Sequence, residues 1–163
     1  MPPGTSGRLI LLCGLPGSGK TTLAKRLASE SPVVRLCPDD WLDGLGVDLY
    51  DETTRDRLEG LFWTLAQQVL RVGGTVILES GFWQRSERDQ KRMGARALAA
   101  AVELRYLDAT LDELERRLNG RDIDDAPASA RVTRGRLDHW VDHFEAPDAA
   151  ELALFDPPAT GTP

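Results

Sequence analysis

Short apolar runs without polar alternation recur along the chain, a pattern typical of strands buried on both faces of a parallel sheet. Arg8–Cys13 and Thr75–Glu79 are such runs and are predicted strands, and Val33–Cys37 and Val102–Leu107 are predicted as two further strands. The stretch Leu152–Phe155 is predicted as a fifth strand at the edge of the sheet.

Between these runs, apolar residues recur every three or four positions, which predicts helices with one buried face. The longest predicted helix runs from Glu52 to Val72 and ends at Gly73-Gly74. Further helices are predicted at Lys20–Ser29, Ser86–Ala100, Thr110–Asn119 and Pro127–Phe144. Strands that alternate with helices predict an α/β three-layer sandwich, here as one domain over residues 1–163 with a frayed tail at 156–163.

The most specific motif is a glycine-rich loop between the first strand and the first helix. Gly14–Thr21 matches G-x-x-x-x-G-K-[ST] in full and stands directly between these two elements. The glycines let backbone N–H groups converge on phosphates, Lys20 reaches the β- and γ-phosphates, and the Thr21 hydroxyl coordinates Mg²⁺. The motif therefore predicts ATP and Mg²⁺ as cofactors. The predicted ATP-binding residues are Gly14, Gly17, Ser18, Gly19, Lys20, Thr21 and Thr22.

Acidic residues follow two of the predicted strands at their carboxyl ends, where ligands bind in open α/β sheets. Asp39 is predicted to act as general base for an acceptor hydroxyl or to anchor it, although a turn or N-cap role also suits an aspartate here. Asp40 fits either role equally. Glu79 occupies the acidic position of a Walker B pattern, where most such sites have Asp. It is predicted to hold a magnesium-bound water, and the alternative is that it caps the following turn.

Arginines cluster around a polar, acidic loop in the last third of the chain. Such a cluster suits a mobile lid, approximately residues 115–137, that brings guanidinium groups to the transferred phosphoryl group. A solvated charged helix end is the alternative. The residues are Arg116, Arg117, Arg121, Arg131, Arg134 and Arg136.

Large apolar residues follow the carboxyl ends of the strands, where substrate loops belong. Trp41, Leu45, Phe82 and Trp83 suggest a pocket for a small, partly apolar hydroxylated molecule. Packing of these side chains within their own loops is the alternative.

Composition adds limits on partners and location. The net charge is −6 with a pI near 5.0, which disfavours a nucleic-acid partner without excluding one. No apolar run approaches the roughly 20 residues that a membrane span requires. The first residues lack the layout of a signal peptide, so a cytoplasmic location is expected. The two cysteines are expected to be buried thiols.

The chain resembles the P-loop kinases grouped around the polynucleotide 5′-hydroxyl kinase domain, together with zeta-toxin-like and chloramphenicol-phosphotransferase-like kinases. The resemblance runs from Arg8 to Asp148 and rests mainly on Gly14–Thr21 and on Pro-Asp-Asp-Trp-Leu at Pro38–Leu42. Weaker signals are Arg88 after the acid-ended third strand and the spacing of Asp108, Arg117 and Arg121.

The resemblance implies roles for particular residues. It implies Asp39 as general base and Arg117 and Arg121 as a clamp on the ATP phosphates, so that the predicted catalytic residues are Lys20, Asp39, Arg117 and Arg121. It also implies a five-stranded parallel sheet in the order 2-3-1-4-5 with a short helical lid. The predicted substrate-contacting residues are Asp39, Asp40, Trp41, Arg55, Phe82, Trp83 and Arg88.

One departure from the family pattern bears on the acceptor. Polynucleotide kinases continue the Asp-Asp pair with Tyr-Arg, and the arginine grips a substrate phosphate, whereas this chain has Trp41 and Leu42. Arg55 or Arg57 could replace that arginine or could be surface residues. We therefore expect an ATP-dependent kinase acting on a hydroxyl of a small metabolite or antibiotic. The alternatives are a polynucleotide or nucleotide 5′-hydroxyl kinase and, in another class, an ATP-binding switch that hydrolyses ATP slowly without an acceptor.

Overall fold

The structure, a computed structural model, describes residues 6–120 and 132–159. Strands and helices alternate along most of this part of the chain. They are β1 (Arg8–Cys13), α1 (Lys20–Glu30), β2 (Val34–Leu36), α2 (Pro38–Gly44), α3 (Glu52–Arg71), β3 (Thr75–Gly81), α4 (Arg85–Ala97), β4 (Ala101–Tyr106), α5 (Leu111–Asn119), α6 (Arg134–His143) and α7 (Ala149–Leu152).

The strands form one parallel sheet in the order β2-β3-β1-β4, with β1 in the middle. Side chains of β1 alternate between the two faces of the sheet. Leu9 and Leu11 pack with residues of α3 and α4, whereas Ile10 and Leu12 pack with α1. Helices cover both faces, which confirms the predicted α/β arrangement with a parallel sheet.

The prediction of a fifth strand at Leu152–Phe155 is wrong, since the described residues form four strands. Asp148 begins the short helix α7 instead, and its side chain accepts a hydrogen bond from the backbone of Glu151 at 2.7 Å. The chain returns to β4 at Asp156, whose backbone N–H donates to Val102 at 2.8 Å. Pro157 and Pro158 follow and have no N–H group, so a ladder of strand hydrogen bonds cannot continue.

The helix α2 is a second difference from the predicted arrangement, in which no helix was predicted between Cys37 and Glu52. Pro38 occupies the first helical turn, where proline loses no helical hydrogen bond, and Asp39 and Asp40 add favourable negative charge to that turn. The two aspartates therefore stand at the start of a helix. None of the helices in the described ranges is both long and apolar enough to cross a membrane.

A buried ion pair connects α7 to α4. The guanidinium of Arg88, which is fully buried, donates to both carboxylate oxygens of Glu151 at 2.6 and 2.9 Å, and Glu151 is 2% exposed. Arg88 also donates to the backbone oxygen of Phe82 at 2.8 Å. The structure thus places Arg88 in the interior, where it holds the C-terminal segment, and not in an acceptor pocket.

Removal of one member of this pair should strongly destabilise the protein. Arg88→Met leaves the Glu151 carboxylate buried without its partner, so we expect the free energy of unfolding in urea to fall by about 3 kcal/mol. The double variant Arg88→Met/Glu151→Met should recover most of that loss. Arg85→Met, in the same helix but half exposed at 3.7 Å from Asp89, should change stability by less than about 1 kcal/mol. If Arg88→Met also lowered the free energy of unfolding by less than about 1 kcal/mol, that result would contradict a structural role for the buried pair.

Candidate active site

The loop between β1 and α1 has a backbone that only glycine adopts easily at two positions. Gly17 and Gly19 have φ values of +85° and +103°. A Cβ on Gly17 would also lie 2.9 Å from Cγ of Leu118, so both the conformation and the space require glycine. Gly19 precedes α1 without capping it through a side chain, and the first turn of α1 carries no acid. Free backbone N–H groups at a helix start suit a bound phosphate.

Lys20 points back over this loop. Its ammonium donates to the backbone oxygens of Gly14 and Leu15, both at 2.9 Å. Burial lowers the pKa of Lys20 to about 8, and the nearby carboxylates of Asp39 and Glu79 partly offset that effect. A partly buried cation held over free N–H groups provides the positive charge that a phosphate chain needs.

Ser18 adds an unsatisfied polar atom in the same loop. Its Oγ is buried and has no hydrogen-bond partner among the described residues. An orphaned hydroxyl in a loop of this shape is consistent with a site built for a polar ligand. Thr22 is the third residue of α1, and its side chain is exposed. The loop residues therefore fit the phosphates of ATP.

Thr21 and Glu79 form the predicted magnesium side of the site. The Thr21 hydroxyl donates to Oε1 of Glu79 at 3.0 Å, which leaves an oxygen lone pair free for a cation. The register of β3 against β1 shifts between Leu11 and Cys13, so β3 carries a bulge at Glu79 and Ser80. Bulges re-aim side chains next to active sites. Thr21 and Glu79 would hold Mg²⁺ directly and through water, respectively, the roles expected from the sequence.

The first turn of α2 presents two aspartates at the carboxyl edge of the sheet. Asp39 is 61% exposed, and its Oδ1 accepts a hydrogen bond from Nη2 of Arg55 at 2.5 Å. Arg55 also donates to the backbone oxygen of Leu49, which ties the guanidinium to the α2–α3 loop. Trp41 is 46% exposed and packs edge-on against Phe62, with ring centroids 5.0 Å apart. Asp39 and Arg55 therefore form an ion pair at this edge, and Trp41 of the same helix is partly exposed.

Arg35 is a site residue that the sequence motifs did not identify. It lies on β2, with its Nε donating to Oε2 of Glu79 and its Nη1 donating to Asp40 at 2.6 Å. A single charged residue within the otherwise apolar run Val33–Cys37, three positions before Pro38, is the signal that could have found it.

Arg117 lies against the phosphate loop. Its Nη1 is 3.3 Å from the backbone oxygens of both Gly17 and Ser18. The predicted capping box that begins α5 is present, since Thr110 and Glu113 each accept a hydrogen bond from the other's backbone N–H group. Arg121 lies outside the described residues, as do 121–131 of the predicted lid.

Two other predicted substrate residues, Phe82 and Trp83, pack against other side chains. Phe82 is 4% exposed and packs in the main core cluster, and its φ of +49° is unusual for a residue other than glycine. Trp83 packs against Trp140 and Phe144, with ring centroids at 6.3 and 6.5 Å. Phe82 and Arg88 are thus buried and Trp83 is partly buried, whereas Trp41 and Leu45 are exposed.

Comparisons with solved structures agree with the fold. A chain from a structure of the Pnkp1/Rnl/Hen1 RNA repair complex is 21% identical with a TM-score of 0.66; the match covers 84% of this chain but 43% of that one. Kti12 from Chaetomium thermophilum in complex with ADP-AlF3 is 20% identical with a TM-score of 0.64, covering 91% and 86%. A gluconokinase from Sinorhizobium meliloti 1021 is 18% identical with a TM-score of 0.55, covering 89% and 78%. None of the curated proteins compared with the chain matches it.

The fold and the phosphate loop define a nucleotide-binding domain of the P-loop kinase type, as the resemblance in the sequence indicated. Residues 9–147 match the model of the family described as AAA domain, and the chain belongs to that family.

Proposed function

We propose that the protein is an ATP-dependent kinase that transfers the γ-phosphoryl group to a hydroxyl of a small molecule. The observation that carries the proposal is the position of Asp39. It is an exposed carboxylate, and its negative charge offsets part of the lowering of the Lys20 pKa that burial causes, so it acts on the cation of the phosphate loop. A base that faces the phosphate-binding cation is what phosphoryl transfer to a hydroxyl requires.

In the proposed reaction, the acceptor hydroxyl gives its proton to Asp39 while its oxygen forms a bond to the γ-phosphorus. The bond between that phosphorus and the β–γ bridging oxygen breaks, and ADP leaves with the bridging oxygen. Lys20, the loop N–H groups and Arg117 stabilise the negative charge on the phosphoryl oxygens. Mg²⁺, when held by Thr21 and Glu79, would neutralise further phosphate charge.

Burial of Leu42 favours a small-molecule acceptor over a polynucleotide. Leu42 is fully buried, so the position at which the polynucleotide kinase pattern has an arginine is part of the core here. The net charge of −6 also repels a nucleic-acid backbone.

The role of Arg117 as a phosphate clamp predicts a selective loss of catalysis. Arg117→Met should lower kcat by about 100-fold, because it removes a charged donor from the developing phosphoryl charge. Its melting temperature should stay unchanged, since the side chain is exposed. Arg116→Met, at the neighbouring exposed position, is the matched control and should keep its kcat within about twofold. Equal kcat values for both variants would exclude a clamp at Arg117.

A transfer screen tests the proposed acceptor class. Purified protein, ATP labelled at the γ-phosphate and Mg²⁺ are incubated with hydroxylated metabolites, hydroxyl-bearing antibiotics and a 5′-hydroxyl oligonucleotide. We expect label on at least one small molecule. Efficient label on the oligonucleotide instead would establish the polynucleotide alternative.

A further inference from the structure

A chain of hydrogen bonds joins the magnesium side of the site to the acceptor side, with Arg35 at its centre. On one side, Thr21 donates to Oε1 of Glu79, and Arg35 donates to Oε2 of the same carboxylate. On the other side, Nη1 of Arg35 donates to Oδ2 of Asp40, next to Asp39 in the first turn of α2. Arg35 is the only described residue that contacts both carboxylates with its side chain.

The burial of this chain makes its geometry specific. The Glu79 side chain is 2% exposed and the Arg35 side chain 17% exposed, so both charges are largely removed from water and depend on each other. The remaining nitrogen of Arg35, Nη2, is buried and has no partner among the described residues. Arginine suits this place because its rigid fork can hold two carboxylates at once, which a lysine ammonium on a flexible stem does less well.

We infer that Arg35 is a positioning residue that couples the occupancy of the magnesium–nucleotide site to the placement of α2 and its base, Asp39. Arg35 touches neither the phosphate loop nor the acceptor; it fixes the Glu79 carboxylate under Thr21 and holds the start of α2 through Asp40. Binding of Mg²⁺ and nucleotide at Thr21 and Glu79 then orders α2 before an acceptor arrives. The inference rests on the proposed function, because it takes Glu79 as the magnesium-side acid and Asp39 as the base.

The chain also offers a close structural control. Arg105 on β4 donates through Nε to Glu103 at 2.9 Å, and the two side chains are 18% and 2% exposed, nearly the values of Arg35 and Glu79. Glu103 lies opposite Ile10 in the middle of the sheet, away from the carboxyl edge. Arg105→Met therefore removes an ion pair of similar burial without touching the site, and Glu103 keeps its second ion-pair partner, Arg8.

The first test measures ADP affinity by calorimetry with and without Mg²⁺. In the wild type, Mg²⁺ should increase the affinity for ADP. In Arg35→Met this increase in affinity should be about tenfold smaller, because residues that orient a metal ligand typically affect metal binding by this amount. Arg105→Met should keep the wild-type gain. An undiminished gain in Arg35→Met, or an equal reduction in both variants, would overturn the inference. If Mg²⁺ has no effect in wild type, the proposed function itself fails, so the two failures are distinguishable.

The second test follows the coupling to α2 by hydrogen exchange and mass spectrometry, and needs no acceptor. Mg²⁺ and ADP should slow amide exchange in residues 37–45 of wild type by about tenfold. Arg35→Met should lose this protection but keep the protection of the phosphate loop. Asp40→Ala, which removes the acceptor of the hydrogen bond to α2, and Arg35→Lys, which keeps the charge but not the planar guanidinium, should lose it as well. Wild-type protection of α2 in folded Arg35→Met would contradict the coupling.

Discussion

Lys20→Met is expected to abolish phosphoryl transfer and, at the same time, to make the nucleotide-free protein more stable. The ammonium is the cation of the phosphate loop, so its loss should lower turnover by about 1,000-fold and weaken ATP binding. The nucleotide-free fold, by contrast, has to bury this charge. Burial lowers the pKa of Lys20 from 10.5 to about 8, and at about 1.4 kcal/mol per pKa unit the upper limit of that cost is about 3 kcal/mol. We expect the free energy of unfolding of nucleotide-free Lys20→Met to exceed that of the wild type by about 1–3 kcal/mol at pH 7.

The pH dependence of this gain has a definite sign. Between pH 8 and pH 10.5 the unfolded chain keeps the Lys20 proton while the folded protein releases it. The unfolded state therefore binds more protons, and the stability of the wild type rises with pH in this range. The extra stability of Lys20→Met over the wild type should be largest below pH 8 and should decrease toward pH 10.

Urea unfolding of wild type, Lys20→Met and Lys25→Met at several pH values measures this effect. Lys25 is exposed on the same helix, so Lys25→Met should match the wild type within about 0.5 kcal/mol at each pH. A Lys20→Met variant less stable than wild type at pH 7 would show that the ammonium stabilises the empty loop, against our interpretation of its burial.

Asp39→Asn should separate catalysis from nucleotide binding. The amide has nearly the size of the carboxylate but cannot accept the acceptor's proton, so kcat should fall by about 100- to 10,000-fold. ADP affinity should stay within about twofold of wild type, because Asp39 lies on the acceptor side of the site.

Asp43→Asn is the matched control for this substitution. Asp43 lies one turn further along α2 with an exposed side chain, and the change of charge is the same. Steady-state transfer with Asp43→Asn should be close to wild type. If Asp39→Asn and Asp43→Asn both transfer at the wild-type rate, Asp39 is not the base and the proposed mechanism is wrong.

The elements that build the phosphate loop could be predicted from the sequence because they depend on local rules. The apolar run Arg8–Cys13, the glycines and the helix from Lys20 follow from hydrophobic pattern and backbone conformation, and the structure has them within one residue of the predicted bounds. The capping box at Thr110 is similarly local.

The errors in the C-terminal part come from contacts that are distant in sequence. Leu152–Phe155 looks like a short strand, but Glu151 pairs with Arg88 across 63 positions and Asp148 caps a helix turn. Phe82 looks like a pocket residue because it follows a strand, yet it packs in the main core cluster against residues distant in sequence. The pairing of Glu151 with Arg88 and the burial of Phe82 have no signature in the local pattern, whereas the spacing of Asp148 and Glu151 is itself a local helix-start signal.

The acceptor side was predicted only in part for the same reason. Asp39 carries a motif, whereas Arg35 has its role only because β2 pairs with β3 and brings it to Glu79. Which residues complete a charged cluster is decided by strand order, which single-residue patterns do not encode.

The most direct test of the central claim is a phosphate balance. ADP, free phosphate and phosphorylated acceptor are measured together over one time course, with an acceptor identified in the transfer screen. A kinase should form one phosphate ester for each ADP, with little free phosphate, and Asp39→Asn should suppress ester and ADP together. ADP that appears with an equal amount of free phosphate, at a rate independent of every acceptor and of Asp39→Asn, would contradict the kinase and indicate an ATP-hydrolysing switch.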